Sequence, residues 1–376
     1  MSMTAVNLAK LPVMHSIASP SDVAVEVASW PSDRLYQEVS AWLSQCDAST
    51  GVCCEHDPRW LGVLADGLGH EPYMIVARRG RVIRGYLPLV LVRSRWFGRF
   101  LVSLPYLNRA GVVTDDAAAG RAMIDEAVRL AERVDARYLE LRHGQQPTEH
   151  EALGQRVDAK VRMVMPLPAD VDYLWKTLNA KVRNQVRKGQ QHALRLQWGG
   201  GELLDDFYDV FAVNMRDLGT PVYPRQLFAQ ILQRFPDDAE LAVVYHEDQP
   251  IAGALLVHDH SHGQATTQVP SASSLRQFNH TNANMWMYYH LLERAVQRGS
   301  TAFDFGRSSV DSGTYRFKKQ WGALPQPTIW QYHVRHGEIS DVRPDNPRYQ
   351  RRIAIWQRMP VWLTRLVGPS IVRGIP

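Results

Sequence analysis

One segment near the carboxyl end, residues 303–322, combines a carboxylate, several cations and glycines that permit bends. Its sequence is FDFGRSSVDSGTYRFKKQWG. The apolar–polar–apolar alternation from Phe303 to Phe305 predicts a half-buried strand, and Gly306 and Gly313 allow tight bends after it. We expect residues 315–319 to return as a second, cationic strand. This pattern suits phosphate recognition, and it also fits a surface hairpin with solvated charges.

Asp304 has two open roles in this segment. It can receive a proton from an attacking amine, directly or through water. It can instead pair with Arg307 or Lys318 and only hold the site together. Arg307 and Ser308 supply hydrogen-bond donors suited to an anion.

A second candidate is the basic end of a helix predicted over residues 171–189, with Asp170 as N-cap and Gly189 as stop. Like charges at i, i+4 spacing repel, so the cluster costs stability unless an anion binds it. The other interpretation is a solvated basic face. The candidate substrate-binding residues of this stretch are Lys181, Arg183, Asn184, Arg187 and Lys188.

The two separate stretches Asp304-Phe-Gly-Arg-Ser and Gly313-Thr-Tyr-Arg-Phe-Lys-Lys-Gln-Trp-Gly resemble the carboxyl-terminal signature of the FemAB family. These are acyl- and aminoacyltransferases built from GNAT-like domains, and they include the peptidoglycan-bridge enzymes. The variant most similar to this chain is the FemAB-like protein of exosortase (XrtA/PEP-CTERM) and exopolysaccharide loci. The similarity covers most of the chain and is strongest at residues 181–189, 214–224 and 303–322.

The resemblance implies roles for individual residues. Lys318, in the pair Phe317-Lys318, would meet phosphate and stabilise negative charge during acyl transfer. Lys319 would share this role or remain solvated. The basic helix would bind the phosphates of the acceptor, although Asn184 stands where the bridge-forming enzymes have a Tyr-Asn pair. In the stretch 214–224, where Gly219 also predicts a helix end, Thr220 and Tyr223 would border the acceptor cleft.

The organisation of the chain indicates a diverged duplication. Strand–turn–strand patterns at residues 72–90 and 241–257 are each followed by a helix and a strand. Gly85 then matches Gly253 at an offset of 168, and Glu140 matches Asp304 at 164. We predict an α/β (α+β) fold with two tandem GNAT-like domains, residues 20–158 and 159–345, and a basic tail, residues 346–376.

Composition narrows the class of protein without selecting a substrate. The chain has 376 residues, 45% hydrophobic and 22% charged, with a net charge of +5. This balance fits an anionic substrate, a nucleic acid or a membrane surface. The three clustered cysteines predict reduced thiols. Neither a signal peptide at residues 1–20 nor a membrane-spanning run is expected, so we predict a cytoplasmic protein.

Several cofactor classes are disfavoured. No glycine loop that would cradle the pyrophosphate of coenzyme A precedes the helix predicted at 281, and the first domain has none either. The alternating His258, His260 and His262 lack partners for a metal site, so we expect no metal. We expect no tightly bound cofactor. The acyl donor would be a co-substrate, either aminoacyl-tRNA or an acyl thioester.

The tail has six arginines and no acid after residue 346, with interspersed apolar residues and Trp356 and Trp362. Such a stretch can lie at the inner face of the membrane or pack on its own domain. The function expected is acyl or aminoacyl transfer to an amino group of a nucleotide- or lipid-linked sugar precursor, with tRNA as a possible partner and no DNA. The alternatives are a GNAT N-acyltransferase that uses acyl-CoA on a small molecule, and a non-catalytic module in polysaccharide assembly.

Overall fold

The structure is a computed structural model that describes residues 23–94, 97–144, 147–157, 160–261, 265–337 and 350–375. Residues 1–20, where no signal peptide was expected, lie outside these ranges, as do His262 and the start of the tail. Within them, the chain forms two mixed β-sheets with helices on both faces. The predicted mixed α/β fold is confirmed.

The first sheet contains, among the described residues, eight strands. In chain order they are β1 (Val23–Ser29), β2 (Glu71–Arg79), β3 (Val82–Ser94), β4 (Gly98–Val102), β5 (Val113–Thr114), β6 (Tyr138–His143), β7 (Gln155–Val157) and β15 (Ile329–Val334). Their spatial order is β1-β2-β3-β4-β6-β15-β7, and β5 pairs with β3. Only the pairing of β4 with β6 is parallel in the described part of this sheet.

The second sheet has seven strands within the described ranges. They are β8 (Lys160–Pro166), β9 (Leu194–Gly199), β10 (Ala239–His246), β11 (Gln249–Asp259), β12 (Thr266–Ser274), β13 (Ala302–Ser309) and β14 (Leu324–Pro327). Their spatial order is β14-β8-β13-β12-β11-β10-β9. Here β12 and β13 form the parallel pair.

The helices cover the sheet faces. They are α1 (Asp33–Leu43), α2 (Arg59–Leu68), α3 (Ala117–Arg133), α4 (Val171–Thr177), α5 (Ala180–Gln190), α6 (Leu204–Leu218), α7 (Arg225–Arg234), α8 (Ala283–Gln297), α9 (Gly313–Gln320), α10 (Gln350–Gln357) and α11 (Val361–Val372). One apolar core joins α1, α2 and the first sheet to α6, α7 and the second sheet. Two further cores lie under α3, and under α5 and α8.

The two hairpins repeat each other in detail. Each has a two-residue turn, between Arg79 and Val82 in one and between His246 and Gln249 in the other. Each also has one extra residue at the same place in its second strand, which makes a β-bulge. This register aligns Gly85 with Ala252, 167 positions later, so the predicted match of Gly85 to Gly253 was wrong by one residue. A one-residue shift turns a side chain to the opposite face of a strand.

The match of Glu140 to Asp304 is confirmed by the parallel pairs. Glu140 lies opposite Val102 in β4, and Asp304 lies opposite Gln268 in β12. In both units the described parallel pairing ends at this residue, and the two strands diverge beyond it. A gap between diverging strands can admit a ligand. Each unit therefore has an equivalent position at which a ligand could bind.

Strand β15 crosses between the units. It pairs with β6 in the first sheet. This is the position that β8 takes beside β13 in the second sheet. The predicted domain limits, 20–158 and 159–345, stay a prediction. Residues 329–334 fall within the predicted second domain, but they pair with the first sheet. The crossing brings Trp330 next to residues of both units.

Two local predictions were wrong. The helix expected over 171–189 is two helices, because Leu178 is extended and the Asn179 side chain caps α5 by accepting a hydrogen bond from Val182 N. Residues 315–319 form helix α9 and not a strand, since Ser312 Oγ accepts from Tyr315 N and caps a helical turn. The predicted Asp170 cap and the helix end at Gly219 are confirmed.

The tail packs on the second unit. Gln357 of α10 donates to Asp217 O of α6, Arg216 donates to Met359 O just after α10, and Arg365 pairs with Asp209. Tyr106 Oη donates to Val372 O, which ties the end of α11 to the first unit. In the described ranges, no helix combines the length and the apolar character needed to cross a bilayer.

Candidate functional site

A cleft of about 320 Å³ opens where β12 and β13 diverge, and residues of both units line it. We call it the interdomain cleft. The first unit contributes Glu55 and residues 106–108. The second unit contributes residues 268–270, residues 304–307 and Lys318. The chain thus brings together Asp304, Arg307 and Lys318, as the sequence predicted.

Lys318 projects from α9 toward the bend at Gly306. Its Nζ donates hydrogen bonds to Gly306 O (3.2 Å) and Arg307 O (3.0 Å). A lysine ammonium has three donors, so one remains for a ligand in the cleft. Burial lowers the pKa of Lys318 to about 8; the Asp304 charge opposes this shift and the Arg307 charge adds to it.

Asp304 is held by two hydrogen bonds. Its Oδ2 accepts from Arg162 Nε at 2.5 Å, and its Oδ1 accepts from Gly306 N at 2.8 Å. Only 1% of the residue is exposed. The bond to Gly306, which has a φ of 75°, fixes the bend that presents two carbonyls to Lys318. Asp304 therefore organises the strand end, but its ion-pair partner is Arg162, so the predicted pairing with Arg307 or Lys318 was wrong. Its predicted role as proton acceptor stays a prediction.

Glu55 brings a second carboxylate to the cleft from the first unit. Its Oε2 accepts from Arg109 Nη2 at 3.4 Å, and its Oε1 has no hydrogen-bond partner among the described residues. Burial opposes ionisation, but Arg109 and Arg162 outweigh it and lower the pKa of Glu55 to about 2. Glu55 is thus an anion at neutral pH and too weak a base to take a proton from an amine.

Arg307 closes the cleft on the side of the first unit. Its Nε donates to Asn108 Oδ1 at 2.9 Å, and its guanidinium lies 3.6 Å from the centre of the Trp330 ring. Arg142 contacts the same ring at 4.1 Å. Burial, with the charge of Arg142, lowers the pKa of Arg307 to about 9. This cation is therefore fixed in place and available for an anionic group.

The equivalent position in the first unit is filled by the chain itself. Arg142, paired with Glu140 at 2.6 Å, donates to Leu104 O and Leu107 O of the loop that follows β4. Leu104 and Tyr106 adopt positive φ to make this loop. Of the two equivalent positions, the one in the second unit is therefore the open one.

The basic helix α5 does not line the interdomain cleft. Arg183 Nη1 donates to Lys176 O at 3.1 Å and so caps the end of α4, and Arg187 lies over Trp175. The exposed residues are Lys181, Asn184, Arg187 and Lys188. The start of α5 is nevertheless close to α9, because Asn179 Nδ2 donates to Gln320 O at 2.6 Å. A substrate bound in the cleft would have to extend along α9 to meet α5.

The other predicted residues take varied positions. Tyr223 lies edge-on to the cleft residue Tyr106, with 5.6 Å between ring centres, whereas Thr220 is exposed and does not line the cleft. Phe317 packs against Tyr288 in the core of the second unit. Ser308 is buried and Lys319 is exposed, and neither lines the cleft.

The sequence interpretation missed Glu55, Asn108, Arg162 and Gln268. Glu55 and Asn108 come from the first unit, which carries no recognisable motif at either position. Arg162 is opposite Arg307 in the sheet, yet its guanidinium reaches Asp304. Such a pairing across 142 positions leaves no local signal. The one hint in the sequence was the position of Arg162, a charged residue directly before the apolar run that begins at Met163.

The comparisons with known proteins bear on the type of domain and on the fold. The sequence profile of the acetyltransferase (GNAT) domain matches residues 178–319. Residues 178–319 of the second unit are therefore similar to a GNAT domain. No curated protein matches the chain significantly.

Solved structures show the same fold over most of the chain. FemX is similar with a TM-score of 0.60 at 15% identity, over 86% of this chain and 99% of FemX. A tandem GNAT protein from the clavulanic acid biosynthesis pathway has a TM-score of 0.53 at 14% identity, over 84% of this chain and 100% of that protein. The L-PGS of Bacillus licheniformis has a TM-score of 0.52 at 12% identity, over 90% of this chain and 98% of that protein. The tandem GNAT-like fold is thereby confirmed.

Proposed function

We propose that this protein transfers an acyl or aminoacyl group to an amino group of a nucleotide- or lipid-linked sugar precursor of the cell envelope or of an exopolysaccharide. The observation that carries the proposal is Lys318, a half-buried cation with one donor left for a ligand, in the open cleft of a domain similar to GNAT. The resemblance of residues 303–322 to the FemAB signature of exosortase loci supports the acceptor class.

The reaction needs little chemistry from the protein. The acceptor nitrogen attacks the acyl carbon of an ester or thioester, and the acyl oxygen takes the negative charge. Collapse of the intermediate breaks the C–O or C–S bond, and the leaving group departs with the electron pair. Lys318 would stabilise the charge that develops on oxygen.

The proton of the attacking amine needs an acceptor. Asp304 retains lone pairs beyond its two hydrogen bonds and lines the cleft, so it is our candidate, directly or through water. Arg307 would hold the phosphate of the acceptor, and Lys181 and Lys188 would meet more distant phosphates along α9 and α5. The donor is aminoacyl-tRNA or an acyl thioester. The protein would act in the cytoplasm.

A ligand panel tests this proposal with a matched pair of variants. Thermal-shift measurements with UDP-N-acetylglucosamine, undecaprenyl phosphate, acyl-CoA and polysaccharide should show stabilisation by one of the first two. Lys318→Met should reduce the shift and lower transfer by about a hundredfold, as expected for losing one contact to developing charge. Lys319→Met, a neighbouring exposed lysine, should leave both unchanged.

Other outcomes would contradict the proposal in different ways. Stabilisation by acyl-CoA alone would indicate a small-molecule N-acyltransferase. A response to polysaccharide alone, without transfer activity, would indicate a binding module. Equal effects of Lys318→Met and Lys319→Met would remove Lys318 from the site.

A further inference from the structure

A second and larger cavity, of about 680 Å³, lies on the far side of the residues that close the interdomain cleft. We call it the rear cavity. Residues 49–53 and 109–112 of the first unit form much of its wall, together with His143. Arg162 and Gln326 of the second unit complete it. Its volume is within the range of small-molecule sites, roughly 300–1,000 Å³.

Two ion pairs separate the rear cavity from the interdomain cleft. Asp304 and Glu55 line the cleft, whereas their partners Arg162 and Arg109 line the rear cavity. The partition therefore has carboxylates on the side of the cleft and guanidinium groups on the other side. No sequence motif assigned a role to this surface.

The rear cavity is lined by positive charge only. None of its described lining residues is an aspartate or glutamate. Burial lowers the pKa values of His56 and His143 to about 4, so both imidazoles are neutral at pH 7. The charge facing the cavity then comes from Arg109 and Arg162.

Both arginines keep donors for a ligand. A guanidinium has five N–H donors. Arg162 uses its Nε for Asp304 and its Nη1 for Gln326 Oε1 at 3.1 Å. Arg109 donates only through Nη2, to Glu55, and its buried Nε has no partner among the described residues. Planar forks of this kind suit phosphate oxygens.

We propose that the rear cavity binds a pyrophosphate-bearing ligand, which Arg109 and Arg162 hold through its phosphate oxygens. This site is distinct from the phosphate contact proposed for Lys318 and does not depend on it. A nucleoside diphosphate and a lipid diphosphate share this chemistry. The ion-pair partition would let a ligand here influence Asp304 and Glu55 in the cleft.

Gln326 offers a test that preserves the fold. Gln326→Glu keeps the oxygen that accepts from Arg162 and adds a negative charge, which should repel a bound anion. Calorimetry with inorganic pyrophosphate should show two binding events in the wild type. In Gln326→Glu one event should weaken at least about tenfold, the effect of losing one charge-assisted contact, with the melting temperature unchanged.

Two further variants separate this site from the interdomain cleft. Gln249→Glu makes the same charge change at an exposed turn and should leave both events intact. Lys318→Met should remove the other event and leave the one sensitive to Gln326→Glu. Titrations with UDP and with farnesyl diphosphate then distinguish the nucleotide from the lipid source.

The proposal fails if pyrophosphate binds once, with an event lost in Lys318→Met and unaffected by Gln326→Glu. It also fails if no binding is detected at any site. An event lost in Gln326→Glu alone would support the rear cavity while contradicting the phosphate role of Lys318.

Discussion

Lys318 differs from an ordinary surface lysine in its burial and in the two carbonyls that fix its ammonium group. With a pKa of about 8, it loses its charge as pH rises through that value, whereas an unfolded lysine stays charged to about 10.5. Because the folded state binds fewer protons in this window, this group adds stability as pH rises from about 8 to 10.5. Anion binding in the cleft should weaken over the same range.

The first prediction concerns this titration. In protein labelled with 13C and 15N on lysine, one of the seven lysine side chains should titrate near pH 8. NMR detection of the Cε and Nζ shifts measures it, and the resonance should be absent in Lys318→Met but present in Lys319→Met. The assignment is wrong if the resonance lost in Lys318→Met titrates above about pH 10, the value of an unburied lysine.

At the scale of elements, the start of α8 disfavours ordinary coenzyme A binding. A glycine-free 3₁₀ turn, Arg276–Thr281, leads into the helix, and Thr281 Oγ1 accepts from Ala283 N at 3.2 Å. The cavity beside it is only about 90 Å³. The backbone donors that would cradle a pyrophosphate are thus partly used and poorly accessible.

We therefore predict that acetyl-CoA binds with a Kd weaker than about 1 mM, corresponding to less than about 4 kcal/mol of binding free energy. Calorimetry on the full chain measures it. Micromolar binding would contradict this prediction and support the acyl-CoA alternative.

The break between α4 and α5 gives a prediction on stability. Asn179 caps α5 and also bonds to α9, so it joins the basic helix to the element that carries Lys318. Asn179→Ala should lower the free energy of unfolding by about 1–2 kcal/mol, the usual cost of a lost cap. Urea titration measures it. Asn184→Ala, in the same helix but exposed, should cause no loss, because alanine favours a helix interior; equal losses would show that the cap is unimportant.

At the scale of the whole molecule, the tail has two faces. Its inner face is packed, with Trp356 only 8% exposed. Its outer face presents Ile355, Trp362 and Leu366, which are 64%, 67% and 70% exposed. The tail packs on α6, as one of its two interpretations expects, and contact of its exposed apolar side chains with a membrane stays a prediction.

Removing the tail would expose core residues, so single-face substitutions test membrane binding better. Combined replacement of Ile355, Trp362 and Leu366 by serine should abolish co-sedimentation with anionic vesicles and leave the melting temperature unchanged. Binding by the wild type should fall with added salt, because arginines near an anionic surface contribute about 1 kcal/mol each. Serine at Val82, Val310 and Leu324, which are similarly exposed elsewhere, is the control. Equal binding by both triple variants would end the membrane hypothesis.

Local sequence determined the elements whose signals lie within a few residues. Alternating apolar residues specified the hairpins, Asp170 and Gly219 specified helix ends, and the segment around Asp304 marked the site. These features follow from side-chain periodicity and backbone preferences. Residues 315–319 show the limit of such signals, since a five-residue apolar–polar pattern suits a strand or a helix until a cap such as Ser312 decides.

Only the tertiary structure decided which residues meet at the site. Glu55 and Asn108 reach the cleft from the first unit, Arg162 reaches Asp304 across 142 positions, and Trp330 arrives on a strand that changes sheets. Such contacts depend on the packing of the two units through a shared core, which no local pattern encodes. The same packing fills the equivalent gap in the first unit and leaves the gap in the second unit open. The sequence therefore indicated two similar units, and only the tertiary structure showed which of them has the open cleft.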